Sequence, residues 1–351
     1  MENGIRIIQP YFRTYSLRNF NKEGIKDLCS FYKLYPRHDM EEDIKNRRIF
    51  INNQLPTCDT PLNKGDSISH TSHDHEPPVR IDGIRKILED DQILAVSKPP
   101  YMPVHPCGRY YYNSLVRIVE DMFDLKELKN QSRLDKNVSG LTVFLKTKSM
   151  SQIFQNLIIN DQVSKLYLAR VEGSFPEFIE CNERIDMKEV LSFWSDEGKD
   201  AKTMFYKICS DGSKSLVMCK LFTGRQHQIR AHLKTLNHPI CDDEIYNNPE
   251  IFPGNIFMKN PDDEFKKKVL KKNTQMIDKD DNLIPLQTAI AEKADGCKKC
   301  KKSFYINKIL PTIKLHCVYT GFLKYKIYDY PSWITEAERI LVKNTIEICL
   351  A

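Results

Sequence analysis

A polar loop runs directly into an alternating apolar strand between residues 132 and 145, and this stretch restricts the possible folds of the chain most strongly. Side chains at i and i+2 share a face of extended backbone, so Arg133 and Asp135 are predicted to point one way while Leu134 points into the core. Ser139 and Gly140 are predicted to form a tight turn before a half-buried strand. The inward-facing residues of that strand are Leu141, Val143 and Leu145. A carboxylate would then lie in a loop with a rigid floor, as catalytic groups require, and a solvated surface aspartate is the alternative.

The composition predicts one large and one small domain. The chain has 351 residues, 41% of them hydrophobic, which is enough for a substantial core. A net charge of only +6 means that any nucleic-acid binding must come from local basic clusters. The 11 cysteines are scattered, which predicts reduced thiols in an intracellular protein. No leader-like N-terminus and no long apolar run occur, so we expect a soluble protein without a membrane partner.

The N-terminal region is predicted to contain an arm and a small module. Residues 1–20 are rich in aromatic residues and arginine, and residues 21–70 show the pattern of two short helices followed by two strands. A basic corner occupies residues 45–48. This arrangement resembles a small S4-like RNA-binding module, in which Arg47 and Arg48 would contact phosphates without reading bases. An ordinary solvated helix end is the alternative.

Three histidines lie close together in the next stretch, His70, His73 and His75. Their density is compatible with a metal site, but turn residues surround them and the neighbouring sequence has no cysteine that would complete a tetrahedral site. We therefore interpret residues 71–83 as a flexible linker, and a new apolar pattern opens the larger domain at residue 84.

A second polar string, residues 223–233, reads T-G-R-Q-H-Q-I-R-A-H-L. Thr223 followed three residues later by Gln226 has the spacing of a capping box, which predicts a helix that begins at Gly224. Arg225 would then lie in the first turn, where free N–H groups and a forked cation favour an anion such as a carboxylate or a phosphate.

Four stretches resemble the motifs of the RluA-type RNA pseudouridine synthases. Residues 132–141 are similar to H-R-L-D-x-x-T-S-G-L, with Ser132 and Val138 in place of the usual His and Thr. Residues 223–233 match T-G-R-x-H-Q-I-R-x-H-L. Residues 98–106 resemble K-P-x-G-x-x-V-H-P, with Tyr101 in place of Gly, and residues 165–173 resemble K-x-Y-x-A-x-V-x-G.

The resemblance implies an α+β pseudouridine synthase fold, a mixed and mostly antiparallel sheet with flanking helices and a central cleft, over residues 84–335. A C-terminal helix would follow at residues 336–351. In that family Asp135 would be catalytic, Arg225 would pair with it, and Tyr167 would stack on the uracil. The residues expected to bind RNA are Arg133, Lys98, His105, Arg47, Arg48 and Arg230. The reaction is an isomerisation that requires no cofactor and no metal.

The C-terminal third contains a charged stretch, residues 247–312, that we interpret as a surface insertion. Cys297 and Cys300 within it have zinc-like spacing, but no clear second ligand pair exists, so we expect reduced, metal-free thiols. A C-x-x-C before an L-H-A-like segment resembles eukaryotic members that modify tRNA, often in the anticodon arm, which implies a cytoplasmic or nuclear setting. We also expect a monomer.

Three other functions were considered. A catalytically silent RNA-binding protein would not need the full set of motif residues, and the same activity on rRNA, snRNA or mRNA remains an alternative. A zinc deaminase requires H-x-E and P-C-x-x-C, whereas Pro106-Cys107 is followed by Gly108, Arg109 and Tyr110, and no H-x-E occurs, so we reject that function.

Overall fold

The structure is a computed structural model in which the chain forms two compact units. It describes residues 4–20, 27–33, 40–188, 191–249, 251–252, 260–266, 292–294, 304–306 and 312–350. The smaller unit contains Ile7–Pro77, and the larger one contains the described residues before it and from residue 78 onwards. Within these ranges the helices are too short or too polar to span a lipid bilayer.

The helices are short, apart from the last. They are α1 (Leu28–Lys33), α2 (Met40–Lys45), α3 (Leu115–Phe123), α4 (Lys148–Ile159), α5 (Gln228–Thr235) and α6 (Glu336–Leu350). The strands are β1 (Ile5–Arg6), β2 (Tyr11–Leu17), β3 (Ile49–Ile51), β4 (Ile68–Asp74), β5 (Val79–Arg80), β6 (Arg85–Glu89), β7 (Ile93–Lys98), β8 (Ser139–Leu145), β9 (Ser164–Glu172), β10 (Phe178–Cys181), β11 (Ile185–Lys188), β12 (Leu191–Trp194), β13 (Thr203–Ser210), β14 (Lys214–Leu221), β15 (Glu292–Ala294), β16 (Phe304–Ile306), β17 (Leu315–Phe322) and β18 (Tyr325–Tyr328).

The smaller unit contains a three-stranded antiparallel sheet in the order β2-β4-β3. The two predicted short helices are present as α1 and α2. The predicted arm is wrong, because β2 is an edge strand of this sheet and pairs with β4 along its whole length. Whether the unit is an S4-like module stays a prediction.

The predicted flexible linker over the histidines is wrong as well. Strand β4 runs through His70 and His73 and is the central strand of the sheet. His70 is buried, and its Nε2 lies 2.8 Å from the Asp43 carboxylate. Histidine and serine are weak strand signals, so pairing with a strand on each side, rather than the local sequence, determines this conformation.

The larger unit is built on a nine-stranded sheet in the order β10-β13-β14-β9-β17-β8-β7-β6, with β18 added beside β17. Every pair is antiparallel except β17 with β8. Helices α4 and α5 pack on one face through a core that contains Phe154, Tyr167 and Leu233. Helices α3 and α6 cover the other face. The predicted mixed, mostly antiparallel α+β sheet with flanking helices is confirmed.

The expected C-terminal helix is present as α6. Helix α4 is capped by Thr147, whose hydroxyl accepts a hydrogen bond from the backbone N–H of Met150 at 3.1 Å.

Strand β8 differs from its prediction at its start. Ser139 and Gly140 are already its first two residues, and the strand is buried on both faces because the core around α4 and α5 covers one face and the core around α3 covers the other. Gly140 has φ of 117°, and a Cβ there would lie 2.4 Å from the backbone nitrogen of Cys317. Only glycine permits this close approach between β8 and β17.

Candidate active site

Asp135 lies in the loop immediately before β8, with its side chain about one third exposed, at 30%. Its backbone carbonyl accepts a hydrogen bond from the N–H of Val138 at 3.1 Å, which closes the turn that leads into the strand. Its Oδ2 lies 3.5 Å from Nη1 of Arg230 and 3.7 Å from Nε2 of His227. The carboxylate is thus accessible on one side and faces a cation on the other.

Arg230 is a buried cation held by a second carboxylate. Its side chain is 3% exposed, and its Nε and Nη2 each donate to Asp243 at 2.8 Å in a bidentate pair. Its guanidinium carbon lies 4.9 Å from the ring centre of Tyr246. Burial acts to lower the pKa of Arg230, but Asp243 and then Asp135 outweigh it and raise that pKa. Arg230 therefore remains charged beside Asp135.

Asp243 is fully buried and also accepts the backbone N–H groups of Ile245 and Tyr246, at 3.0 and 3.1 Å. Burial acts to raise the pKa of Asp243, but Arg230 and these hydrogen bonds outweigh burial and lower it. Sequence reasoning missed Asp243. The acidic run at residues 242–244, shortly after a basic helix, is the signal that points to a buried partner.

The predicted contact between Arg225 and Asp135 is wrong. Arg225 is exposed, and its Nε donates to the backbone carbonyl of Asp200 at 2.9 Å. The predicted helix start at Gly224 is also wrong, because α5 begins at Gln228. The side-chain oxygen of Gln228, Oε1, accepts hydrogen bonds from the Thr223 hydroxyl at 2.8 Å and from the backbone N–H of Arg225 at 3.0 Å. These bonds keep residues 223–227 out of the helix and place Arg230, in its first turn, at the site.

Lys98 was predicted to bind RNA, but the structure places it inside the protein at 1% exposure. Its ammonium group donates to three backbone carbonyls, those of Pro99 at 2.9 Å, Met102 at 2.8 Å and Lys136 at 3.1 Å. Burial lowers the pKa of Lys98 to about 7, and the charge of Asp135 acts in the opposite direction. Lys136 directly follows Asp135. Its hydrogen bond with Lys98 therefore ties the loop that contains Asp135 to the end of β7.

Tyr167 lies in β9 and is 7% exposed, in the core on the α4 and α5 face of the sheet. Burial, then the neighbouring Cys317 and Asp135, raise the pKa of Tyr167, so its hydroxyl is un-ionised at neutral pH. The aromatic side chain and the carboxylate thus belong to one site.

The other predicted RNA-binding residues divide into exposed and buried groups. Arg133 is exposed, and burial followed by the Arg133 charge lowers the pKa of the half-buried His105. In the smaller unit Arg47 is exposed, while Arg48 pairs with Asp43 at 3.0 Å. Lys98 and Arg230 are buried and paired, so neither can reach an RNA phosphate in this conformation.

Nine of the cysteines lie in the described part of the chain, and all nine are free thiols. The described residues contain no group of three or more His, Cys, Asp or Glu that could hold a metal ion. Cys297 and Cys300 lie outside the described residues, so their metal-free state stays a prediction.

His232 is a buried histidine that should make stability depend on pH. Its Nδ1 lies 2.9 Å from the Thr203 hydroxyl and its Nε2 lies 2.9 Å from the Glu183 carbonyl, and burial lowers its pKa to about 4. Between about pH 6.5 and 4 the unfolded chain binds a proton that the folded chain does not, so the free energy of unfolding falls as the pH falls.

We expect the His232→Gln variant to lose less stability than the wild type on acidification. Glutamine has similar hydrogen-bonding groups but does not titrate, so the fall between pH 7 and 4.5 should shrink by about 2–3 kcal/mol. Urea unfolding at both pH values measures the effect, and an equal fall in both proteins would contradict it.

The comparisons with known proteins agree with this geometry. The family model described as RNA pseudouridylate synthase matches residues 92–235. RNA pseudouridine synthase 7 of Arabidopsis thaliana is 31% identical over 349 residues, which cover 94% of this chain and 86% of that protein.

Two further relatives are 35% identical but longer. The protein named tRNA pseudouridine(32) synthase, mitochondrial, of Saccharomyces cerevisiae aligns over 73% of this chain and 58% of its own length. Pseudouridylate synthase RPUSD2 of Homo sapiens aligns over 70% of this chain and 47% of its own length. The chain thus spans about half the length of these two relatives. Because the plant relative is matched over most of both chains, the protein belongs to the RNA pseudouridine synthase family of the RluA type.

Proposed function

We propose that this protein isomerises uridine to pseudouridine in RNA, with Asp135 as the catalytic residue. The observation that carries the proposal is a partly exposed carboxylate that faces a buried arginine at 3.5 Å, at the end of a rigid central strand. A carboxylate can act as a nucleophile or base, and the buried cation beside it fixes its orientation.

The reaction breaks the bond between uracil N1 and ribose C1′, turns the base within the site, and joins C5 to the same C1′. The target base must first leave its stack, at a cost of a few kcal/mol. Tyr167 would stack on the uracil, and Arg230 would orient the Asp135 carboxylate. Asp243 would hold Arg230 in turn, since its bidentate contact fixes the plane of the guanidinium.

We propose that Arg133 and His105 contact the RNA beside the site, because Arg133 lies two residues before Asp135, its charge acts on His105, and both side chains at least partly face solvent. In the smaller unit the exposed Arg47 would contact phosphate, and Arg48 would do so beside Asp43. Such contacts position RNA without reading its sequence.

The substrate we propose is a tRNA, modified in its anticodon arm. Two relatives carry tRNA in their names, the yeast tRNA pseudouridine(32) synthase and the yeast tRNA pseudouridine(31) synthase. The compartment we propose is the cytoplasm or nucleus, with the protein acting as a monomer. An rRNA, an snRNA or an mRNA is the alternative substrate.

Sequencing of pseudouridine in total RNA, with and without the gene for this protein, tests both the activity and the substrate. We expect a uridine in one or more tRNAs to lose its modification on deletion. Loss of pseudouridine only from rRNA, snRNA or mRNA would mean that the substrate is one of those RNAs and not a tRNA. An unchanged pseudouridine map, together with no tritium release from C5-labelled RNA in vitro, would contradict the activity.

A further inference from the structure

A buried chain of polar side chains reaches the strand that follows the catalytic loop. The hydroxyl of Ser139, the first residue of β8, lies 2.9 Å from Nδ1 of His316. Nε2 of His316 lies 3.2 Å from Oδ2 of Asp329, and the side chains of His316 and Asp329 are only 4% and 3% exposed. None of these three residues has a role in the proposed chemistry.

The chain extends across neighbouring strands of the sheet. His316 in β17 is the parallel partner of Ser139 in β8. Beyond it, Asp329 follows β18, and its other oxygen, Oδ1, accepts from Nη2 of Arg85 in β6 at 2.8 Å. Arg85 balances the carboxylate charge.

The contacts of Ser139 and His316 differ in kind. The Ser139 hydroxyl lies within hydrogen-bond distance of Nδ1 of His316, at 2.9 Å, and of the Leu315 carbonyl oxygen, at 3.4 Å. Nε2 of His316 and Oδ2 of Asp329 are 3.2 Å apart but make no hydrogen bond among the described residues. Ser139 is thus restrained by β17, and the His316 ring packs beside the Asp329 carboxylate.

Ser139 is close enough in sequence to transmit this restraint to Asp135. Only three residues separate the two, and the turn between them is closed by the hydrogen bond from the Val138 N–H to the Asp135 carbonyl at 3.1 Å. On the far side, Gly140 packs against the backbone of Cys317 with no room for a Cβ. The contact between Ser139 and His316 is therefore one of the anchors at the C-terminal end of the loop that contains Asp135.

We propose that His316 is a positioning residue for catalysis, which restrains Asp135 by holding Ser139 while its own ring is packed beside Asp329. This role rests on the proposed function and extends it to residues that touch neither substrate nor Asp135. A loop that loses its anchor should still bind RNA, but its carboxylate should spend less time aligned with the reacting ribose.

The first test compares Ser139→Ala with Ser139→Thr, which keeps the hydroxyl. Tritium release from C5-labelled tRNA gives kcat and KM. We expect Ser139→Ala to lower kcat about tenfold with KM unchanged, and Ser139→Thr to retain most of the rate. Thr142→Val is the matched control in the same strand, since its buried hydroxyl has no hydrogen-bond partner among the described residues, and it should react like the wild type.

The second test separates the two sides of the imidazole. The side-chain amide of His316→Asn can reach the position of Nδ1, beside Ser139, whereas that of His316→Gln can reach the position of Nε2, beside Asp329. We expect His316→Gln to match Ser139→Ala, and the double variant Ser139→Ala with His316→Gln to be no slower than either alone within about threefold.

Three results would overturn the proposal: a wild-type kcat in Ser139→Ala, an effect confined to KM, or a loss of about a hundredfold in the double variant, which would mean independent effects. If His316→Gln does not fold, Ser139→Ala and its rescue by threonine decide alone. Inactive wild-type protein would instead overturn the proposed function, because every comparison is made against wild-type tritium release.

Discussion

The Asp135→Asn variant is expected to fold and bind RNA but to make no pseudouridine. Asparagine is nearly isosteric with aspartate, and the backbone carbonyl of residue 135 would still accept the hydrogen bond that closes the turn before β8. An amide, however, cannot act as a nucleophile or a base. Loss of one negative charge from a site that receives phosphates could strengthen RNA binding by about 1 kcal/mol.

Paired measurements on one transcript test this expectation. Filter retention gives the Kd for RNA, and tritium release from C5-labelled uridine gives product formation. Product formation by Asp135→Asn at the wild-type rate would contradict the assignment of Asp135 as the catalytic residue. The pairing also separates an enzyme from a silent RNA-binding protein, since in the latter the wild type itself would release no tritium.

Local pattern predicts the central strand well but cannot place it in the sheet. The alternation after Gly140 predicts β8, yet it implies one buried face, whereas both faces are buried. The second face is covered by α3, whose apolar residues share a core with Phe144 of β8. Beside β8 lies β17, which begins at Leu315 and returns from far along the chain to pair with it. No property of the residues around 140, apart from the glycine itself, reveals that partner.

Charged residues were the least predictable part of the site. Lys98 and Arg230 were expected to face RNA, because lysine and arginine are seldom fully buried unless paired. Both are buried, and both are paired, Lys98 with three backbone carbonyls and Arg230 with Asp243. Their partners lie in other loops, so the pairing becomes visible only when the fold brings those loops together.

The choice between two arginines in one string depended on where a helix begins. Thr223 and Gln226 have capping-box spacing, which would put Arg225 in the first turn. The side chain of Gln228 instead takes the hydrogen bonds of Thr223 and Arg225, and the helix begins five residues later than Thr223. A rival hydrogen-bonding side chain within the string thus decided which arginine reaches Asp135.

Arg230→Lys is expected to lower kcat by about a hundredfold, because lysine keeps the charge but loses the planar fork that holds Asp243 and faces Asp135. The single ammonium group on the shorter lysine side chain cannot contact the carboxylates of both Asp135 and Asp243. The buried Asp243 would keep its bonds to two backbone N–H groups but lose the bidentate contact, so the free energy of unfolding should also fall, by about 1–3 kcal/mol.

Arg225→Lys is the matched control, since it makes the same chemical change five residues away in the same string. The Arg225 side chain is exposed and donates only to the Asp200 backbone carbonyl among the contacts described for it, so we expect the rate of Arg225→Lys to stay within about twofold of the wild type. Both variants should be assayed well below their melting temperatures, with circular dichroism confirming that each is folded. The opposite order of effects, a strong loss in Arg225→Lys with normal turnover in Arg230→Lys, would show that Arg225 moves to Asp135 when RNA binds and would reassign the catalytic cation.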